Sequence, residues 1–188
     1  MKIIYRTLIS IYLLTLIYIL TINFNFNIIV SILLLIPLCF IPYLLYKIEY
    51  IFYIYFTQVL GTTCQFYNLP FYDKIMHFFS GMIFVCIGYI FLKKYISVQK
   101  ILFLMINCIE MSFAFLWEIF EYCGLIFFNY DASHHYTTGV HDTMQDMIVS
   151  LIGGFIMTYL IYKFPSHIDN LYKLPPDTPD ESSPQQHI

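Results

Sequence analysis

Charged residues are scarce in this sequence. Lys, Arg, Asp and Glu together make up 11% of its 188 residues, whereas hydrophobic residues make up 60%. Soluble domains typically have about a quarter of their residues charged. A soluble fold of this length would also have to bury several apolar runs of near-membrane length in a small core. The composition therefore excludes an ordinary soluble domain and indicates an integral membrane protein, with the lipid bilayer as its first partner.

Basic clusters and paired cysteines are missing as well. Arg6 is the only arginine, and the net charge of −3 offers no basic patch for a phosphate backbone, so we expect no nucleic-acid partner. The five cysteines occur singly in apolar segments, and no two have CxxC spacing. A zinc knuckle or a dithiol redox motif is therefore not indicated, and the cysteines are interpreted as small hydrophobic residues.

Six apolar segments approach the ~20 residues that a helix needs to cross a bilayer. They are residues 3–22, 28–46, 48–67, 75–92, 101–127 and 143–162. Cytoplasmic loops are enriched in Lys and Arg, and six spans with an internal N-terminus leave only Lys74 of the basic residues outside. Without the weakly apolar segment 48–67, the basic residues would divide almost evenly. The sequence thus predicts an all-α, polytopic transmembrane bundle of about six spans in the cell membrane, with both termini cytoplasmic.

The C-terminal part of the chain has a different composition. Residues 164–188 contain five of the eight prolines and several acidic residues. Such a segment cannot bury enough apolar surface to fold alone. We therefore expect a six-span transmembrane domain at residues 1–163, followed by a disordered cytoplasmic tail at 164–188.

Ionisable residues occur at the edges of the last three predicted spans. Each costs ~2.5–3.5 kcal/mol at the centre of a membrane helix and usually marks a functional site. The predicted topology places them at one end of the bundle, on the extracytoplasmic face. They are Asp73, His77, Glu118, Glu121, His141, Asp142 and Asp146.

Helical spacing brings these residues onto common faces. Asp73 and His77 are separated by four residues, as are Asp142 and Asp146, so each pair shares a helix face. Glu110 lies on the same stripe as Glu118 and Glu121, deeper in the fifth span.

Small residues continue two of these faces. Gly81 follows His77 in the fourth span, and Gly153 follows Asp146 in the sixth. Because small residues let membrane helices approach closely, we expect the last three spans to pack as one cluster.

Charge balance leaves two solutions for the cluster. Its carboxylates face only Lys74 as a formal positive charge, so they either share protons or bind a cation. Carboxylate together with imidazole suits Zn, Mn or Fe. The candidate ligands of a divalent cation are His77, Glu118, Asp142 and Asp146, and the wider polar cluster adds Asp73, Glu110 and His141.

Structural roles compete with this interpretation. Asp142 and Asp73 could each cap the N-terminus of a helix, and His77 could be a hydrogen-bonded core histidine. His134 and His135 lie in a loop, where we expect them to be solvated. Trp117 is typical of the aromatic residues found at membrane interfaces.

Three sequence blocks resemble a known family. The blocks are residues 72–81 (YDKIMHFFSG), 115–122 (FLWEIFEY) and 139–147 (GVHDTMQDM), followed by Gly153 and Gly154. Over about residues 70–160 the chain resembles the YjdF-like bacterial inner-membrane proteins. Through its D-K-x-x-H signature it also resembles, more distantly, the VanZ-like proteins linked to glycopeptide-antibiotic resistance. The resemblance implies a polytopic membrane protein and, through the VanZ-like link, a role in the cell envelope.

Three functions are compatible with these residues. The first is a binding or structural role in the cell envelope. The second is a metal-dependent enzyme acting on a lipid-linked or envelope small molecule, with Glu121 as the candidate catalytic base. The third is a cation- or proton-coupled transporter, in which Glu110 extends the polar path inward.

Overall fold

The regular structure of this chain is helical. The computed structural model describes residues 2–22, 26–41, 43–131 and 137–172, and within these ranges there is no strand. The elements are α1 (Lys2–Ile22), α2 (Phe26–Leu33), α3 (Pro37–Phe40), α4 (Leu44–Ile54), a π-helix (Tyr55–Thr63), a 3-10 helix (Phe66–Asn68), α5 (Tyr72–Leu92), α6 (Gln99–Phe128), α7 (Val140–Lys163) and α8 (Pro165–Tyr172). The predicted all-α class is confirmed.

Three helices of the described part are long and apolar enough to cross a membrane. They are α5, α6 and α7, with 21, 30 and 24 residues. They contain the last three predicted spans. The prediction of six spans and the orientation of the termini are not confirmed and stay predictions.

The predicted span 28–46 is not one continuous helix. A turn at residues 34–36 separates α2 from α3, and the chain is extended again at Ile41. Pro37 stands at the start of α3, where its missing N–H is harmless, but the same ring would clash with the carbonyl four residues earlier in a continuous helix. A hydropathy pattern detects the apolar run but does not detect the break in the helix.

The predicted span 48–67 also has an unexpected form. Its first part lies in α4, and the chain then widens into the π-helix, where Thr57 and Gln58 are buried. Gln58 accepts a hydrogen bond from the Ser31 hydroxyl at 3.1 Å. The residues that make this segment weakly apolar thus include buried side chains with polar partners.

Small residues bring α5 and α7 into backbone contact. A Cβ atom added to Gly81 would collide with the backbone carbonyl of Ser150, and one added to Gly153 would collide with that of Phe78. Both contacts are between parallel helices, whereas α6 runs antiparallel to them, because Glu110 meets Ser150 while Asn107 meets Thr158 further along α7. The predicted close packing of these three helices is confirmed.

An apolar core fills the end of the bundle opposite the acidic residues. Val85, Ile106 and Ile161 are almost completely buried there. The bundle therefore has an apolar end and a polar end. The polar end is formed by the first turns of α5 and α7 and the second half of α6.

Part of the predicted disordered tail is ordered. Residues 165–172 form α8, whose Ile168 and Tyr172 are buried against the core, four residues apart on one face. Asp169 pairs with Lys93. Burial raises the pKa of the Tyr172 phenol far above its usual range, so the hydroxyl stays protonated and donates to Glu49 at 2.7 Å. Composition missed this short helix because its contacts are with distant parts of the chain. Residues 173–188 lie outside the described residues.

Candidate functional site

A lysine lies at the centre of the polar end. The Lys74 ammonium donates to Asp142 Oδ1 at 2.6 Å and to Asp146 Oδ1 at 2.7 Å, and it lies 3.7 Å from Asp73 Oδ2. Lys74 stands in the first turn of α5, and both of its hydrogen-bonded partners are on α7. One ammonium group thus binds two aspartates and joins two helices.

Three potential metal ligands converge beside this lysine. Asp73, His77 and Asp146 can each offer one ligand atom, and these atoms lie within 4.8 Å of one another. His77 Nε2 is 3.6 Å from Asp73 Oδ1 and 3.9 Å from Asp146 Oδ1. His77 and Asp146 are both buried. Two of the four predicted ligands are therefore together, with Asp73 as the third member instead of Glu118 or Asp142.

Glu118 approaches the same group from α6. Its side chain is only 7% exposed, and neither carboxylate oxygen makes a hydrogen bond of normal geometry in the described part of the chain. Asp73, Asp142 and Lys74 all interact with it electrostatically, and the Thr143 side chain lies near it. Burial of a carboxylate with so few hydrogen bonds is costly, so this residue indicates a site.

A second buried carboxylate lies deeper in the bundle. Glu110 is fully buried, and its Oε1 accepts a hydrogen bond from the Ser150 hydroxyl at 2.8 Å. The Ser150 hydroxyl is 3.4 Å from that of Ser80, which in turn donates to the backbone carbonyl of His77 at 2.7 Å. A line of polar groups therefore connects the cluster with Glu110.

Glu121 lies beside this cluster, half-buried. Its Oε1 accepts a hydrogen bond from the Trp117 indole at 2.7 Å. Trp117 thus has a specific partner in addition to the interfacial role expected of it. Glu121 is not a member of the group of three ligands, and its role as a catalytic base stays a prediction.

His141 does not belong to the group of Asp73, His77 and Asp146. It is exposed, and its Nε2 is 2.9 Å from the Gln145 side-chain nitrogen. His134 and His135 lie outside the described residues.

Neither Asp73 nor Asp142 is the N-cap of its helix. The N-cap of α7 is Gly139 and that of α5 is Phe71, so Asp142 and Asp73 stand within the first turns of their helices. Acidic residues in a first turn are favoured by the helix dipole. Asp142 has the ion pair with Lys74 as well.

Lys74 was not among the residues predicted for the site. The signal in the sequence was its position as the only basic residue among the acidic ones at this end. Helix phase alone did not single it out, since Lys74 is next to Asp73 and points about 100° away from it around the helix axis. A long, flexible stem lets the ammonium group reach α7 nevertheless.

Comparison with protein families identifies the chain at a coarse level. A family model described as "Predicted membrane protein (DUF2238)" matches residues 4–167. The chain belongs to this family. The DUF2238 match includes all of α5, α6 and α7, and hence every residue of the site. No curated protein and no solved structure matches the chain.

Proposed function

We propose that this membrane protein is a binding protein whose polar cluster binds a divalent cation between α5, α6 and α7. The observation that carries the proposal is the convergence of Asp73, His77 and Asp146 within 4.8 Å. Ligand atoms lie ~2.0–2.6 Å from a bound Zn or Ca ion, so two ligands on opposite sides are about 4–5 Å apart. The three ligand atoms are therefore close enough to one another to bind one ion.

Glu118 supports the same proposal. Among the described residues its two oxygens have no hydrogen bond of normal geometry, although the Thr143 side chain lies near, and the carboxylate interacts electrostatically with Asp73. A cation would compensate the charge of this buried carboxylate, and Glu118 would add a ligand from α6. Imidazole together with carboxylates favours Zn, Mn or Fe over Mg or Ca.

Lys74 sets the limit on affinity. Its ammonium holds the same Asp146 oxygen that faces His77, so an incoming cation must compete with it. Asp142 then serves as the remaining partner of Lys74 instead of as a ligand. In this arrangement cation binding shifts Lys74 from two aspartates towards one.

We propose six spans with both termini in the cytoplasm, which places the cation site at the extracytoplasmic face of the cell membrane. The three motif blocks of the YjdF-like resemblance fall in α5, α6 and the start of α7, the elements that build the site. They support a YjdF-like and, more distantly, VanZ-like role in the cell envelope.

Thermal unfolding in detergent tests the cation site. After chelation, addition of Zn or Mn should raise the melting temperature, since a ligand at 100 times its Kd stabilises the folded state by about 2.7 kcal/mol. Glu118→Gln, Asp146→Asn and His77→Gln should abolish the rise. His141→Gln is the matched control, because this histidine is exposed and outside the group, and it should leave the rise unchanged.

Proton sharing among the carboxylates would give the opposite result. If the carboxylates share protons, Glu118→Gln and Asp146→Asn would relieve repulsion between like charges and would be tolerated or stabilising near neutral pH. A melting temperature that ignores metal, together with stabilised variants, would refute the cation site.

The polar line to Glu110 favours a second candidate, a cation- or proton-coupled transporter. Glu110 is fully buried in the middle of α6 and is connected to the cluster through Ser150 and Ser80. Proteoliposomes loaded with a pH-sensitive dye should then report proton movement when Mn is added outside. Glu110→Gln should abolish that movement, whereas Ser112→Ala, on an exposed position of the same helix, should not. Equal signals from empty liposomes would exclude transport.

A further inference from the structure

Two side-chain oxygens are buried without a hydrogen bond where α6 packs against α7. They are Asn107 Oδ1 and Glu110 Oε2, and neither has a partner among the described residues. The two residues are three positions apart, so their side chains are neighbours on one helix face. Both atoms can only accept a hydrogen bond, because an amide carbonyl oxygen and a carboxylate oxygen carry no proton. Buried polar atoms almost always have a partner, so a donor is missing from this contact.

The other polar atoms of these two side chains are already engaged. Glu110 Oε1 accepts a hydrogen bond from the Ser150 hydroxyl at 2.8 Å. The Asn107 amide nitrogen donates to the Phe103 carbonyl at 2.7 Å and to the Thr158 hydroxyl at 2.9 Å. Both amide protons are therefore used, and a flipped amide would turn its oxygen towards the Phe103 carbonyl, which is another acceptor. The orientation of the Asn107 amide is thus fixed, and its oxygen needs a donor from elsewhere.

The unpartnered carboxylate oxygen lies on the side of Glu110 that is nearer to Asn107. Ser150 and Thr158 are about two turns apart on α7, and Gly154 lies midway between them. A Cβ atom added to Gly154 would lie 3.2 Å from Glu110 Oε2. Oε1 is thus bonded at Ser150, while Oε2 lies one turn closer to the contact between Asn107 and Thr158.

Glu110 has no counter-charge in the part of the chain that the structure describes. None of the ion pairs there involves it. The nearest basic residue on α6 is Lys100, ten residues or about 15 Å away at 1.5 Å per residue. The Lys74 ammonium is engaged at the polar end of the bundle. A carboxylate ion without a counter-charge is strongly disfavoured in such a buried place, and a group of this kind takes up a proton instead.

We propose that Glu110 binds a proton at Oε2 and, as a neutral carboxylic acid, donates a hydrogen bond to Asn107 Oδ1. One proton then satisfies both oxygens, since a protonated carboxyl group gains a donor and keeps an acceptor for the Ser150 hydroxyl. A proton needs no cavity. A metal ion would need several ligand atoms, and this contact offers two unpartnered oxygens among the described residues.

The bound proton joins two contacts between α6 and α7 into one chain of hydrogen bonds. The chain runs from Ser150 to Glu110, from Glu110 to Asn107 and from Asn107 to Thr158, and each group donates to the next. The proton site is separate from the proposed cation site, because Glu110 is eight residues or about 12 Å from Glu118 along α6. It does not depend on a cation at the polar end, so the two sites can be tested separately.

Infrared difference spectroscopy of the full chain in detergent, with chelator at neutral pH, tests the proposal. The spectrum of the wild type minus that of Glu110→Gln should contain the C=O band of a protonated carboxyl group, while the signals of the other acidic residues cancel. Asn107→Leu should shift this band, because the acceptor of the acid proton is lost. Ser112→Ala is the matched control and should leave the band in place, since the Ser112 hydroxyl donates to the Cys108 carbonyl of its own helix. Carboxylate bands alone in the difference spectrum would overturn the proposal, and an unshifted band in Asn107→Leu would overturn Asn107 as the acceptor.

Thermal unfolding distinguishes a bound proton from a bound monovalent cation. Glu110→Gln should keep the melting temperature within about 2 °C of the wild type, because the amide of Gln can donate to Asn107 and accept from Ser150 as the acid does. Exchange of sodium chloride for choline chloride should leave the melting temperature of the wild type unchanged, and this measurement needs no variant to fold. Stabilisation of the wild type by sodium that Glu110→Gln abolishes would assign the site to a metal ion and overturn the proton. Since chelator is present throughout, neither experiment depends on the divalent-cation site.

Discussion

The ammonium of Lys74 lies 2.7 Å from Asp146 Oδ1 and thereby ties the first turn of α5 to the second turn of α7. The same ammonium holds Asp142 at 2.6 Å. The polar end of the bundle is thus held by attraction across parallel helices as well as by close packing. Loss of Lys74 should therefore affect the stability of the bundle differently with and without a bound cation.

Lys74→Gln should destabilise the metal-free protein. The change leaves Asp142 and Asp146 near each other without a positive partner, and an uncompensated, partly buried charge costs roughly 1–3 kcal/mol. The same variant should bind Zn or Mn more tightly than the wild type, because the competing ammonium is gone. Thermal unfolding with chelator and with excess metal measures both effects.

Lys94→Gln is the control for this experiment. Lys94 is exposed and its ammonium lies over the Tyr95 ring at the other end of α5, so its loss should change stability by no more than ~0.5 kcal/mol. Weaker metal binding by Lys74→Gln would show that the lysine supports the ion instead of competing with it.

Gly81→Ala and Gly153→Ala should each lower the melting temperature strongly. The added methyl group meets a backbone carbonyl of the facing helix, which cannot move without separating α5 from α7, and overpacking typically costs 1–3 kcal/mol. At Gly88 the added methyl would lie 3.3 Å from the Ile106 side chain. Gly88→Ala should therefore cost less, and equal losses at all three positions would contradict the backbone contact.

Substitution by Leu should distinguish the same close contact from a looser one. Leu at Gly81 or Gly153 should lower the melting temperature more than Leu at Gly61, because the added side chain at Gly61 meets the Tyr67 side chain and not a backbone.

Single-cysteine labelling should place the loop before α7 outside the cell. Ser133→Cys in a cysteine-free background should react with an impermeant thiol reagent in intact cells, because six spans with internal termini give the strongest basic bias towards the cytoplasm. Ser97→Cys, in the basic turn between α5 and α6, should react only after lysis. Reversal of the two patterns would invert the proposed topology.

Ile168→Ala should reduce stability by about 2–5 kcal/mol, as is usual when a large core side chain is truncated. Ile168 of α8 is only 9% exposed, whereas Leu171 of the same helix is 41% exposed. Leu171→Ala is therefore the matched control and should be nearly neutral. Chemical denaturation of the two variants compares them directly, and similar small effects would indicate that α8 does not dock in solution.

The sequence was informative where one residue type or one helix face decides the outcome. Scarce charge indicated the membrane class, and four-residue spacing placed Asp73 with His77 and Asp142 with Asp146. Gly81 and Gly153 correctly indicated the contact between α5 and α7. These inferences depend on local geometry, which a helix imposes on any sequence that forms it.

Other features depend on contacts between distant segments. Lys74 reaches across to α7 by a flexible stem, so helix phase did not reveal its partners. His141 and Asp142 are neighbours, yet only Asp142 faces Lys74, because adjacent residues point about 100° apart.

Helix α5 is anchored by an ion pair near each of its ends, Lys74 with α7 and Lys93 with Asp169 of α8. The two lysines are 19 residues apart, or about 28 Å at 1.5 Å per residue, close to the ~30 Å thickness of the hydrocarbon core. A helix fastened at both ends cannot slide along its neighbours to suit a thicker or thinner bilayer. Hydrophobic mismatch must then be relieved by tilting of the whole bundle or by deformation of the surrounding lipid.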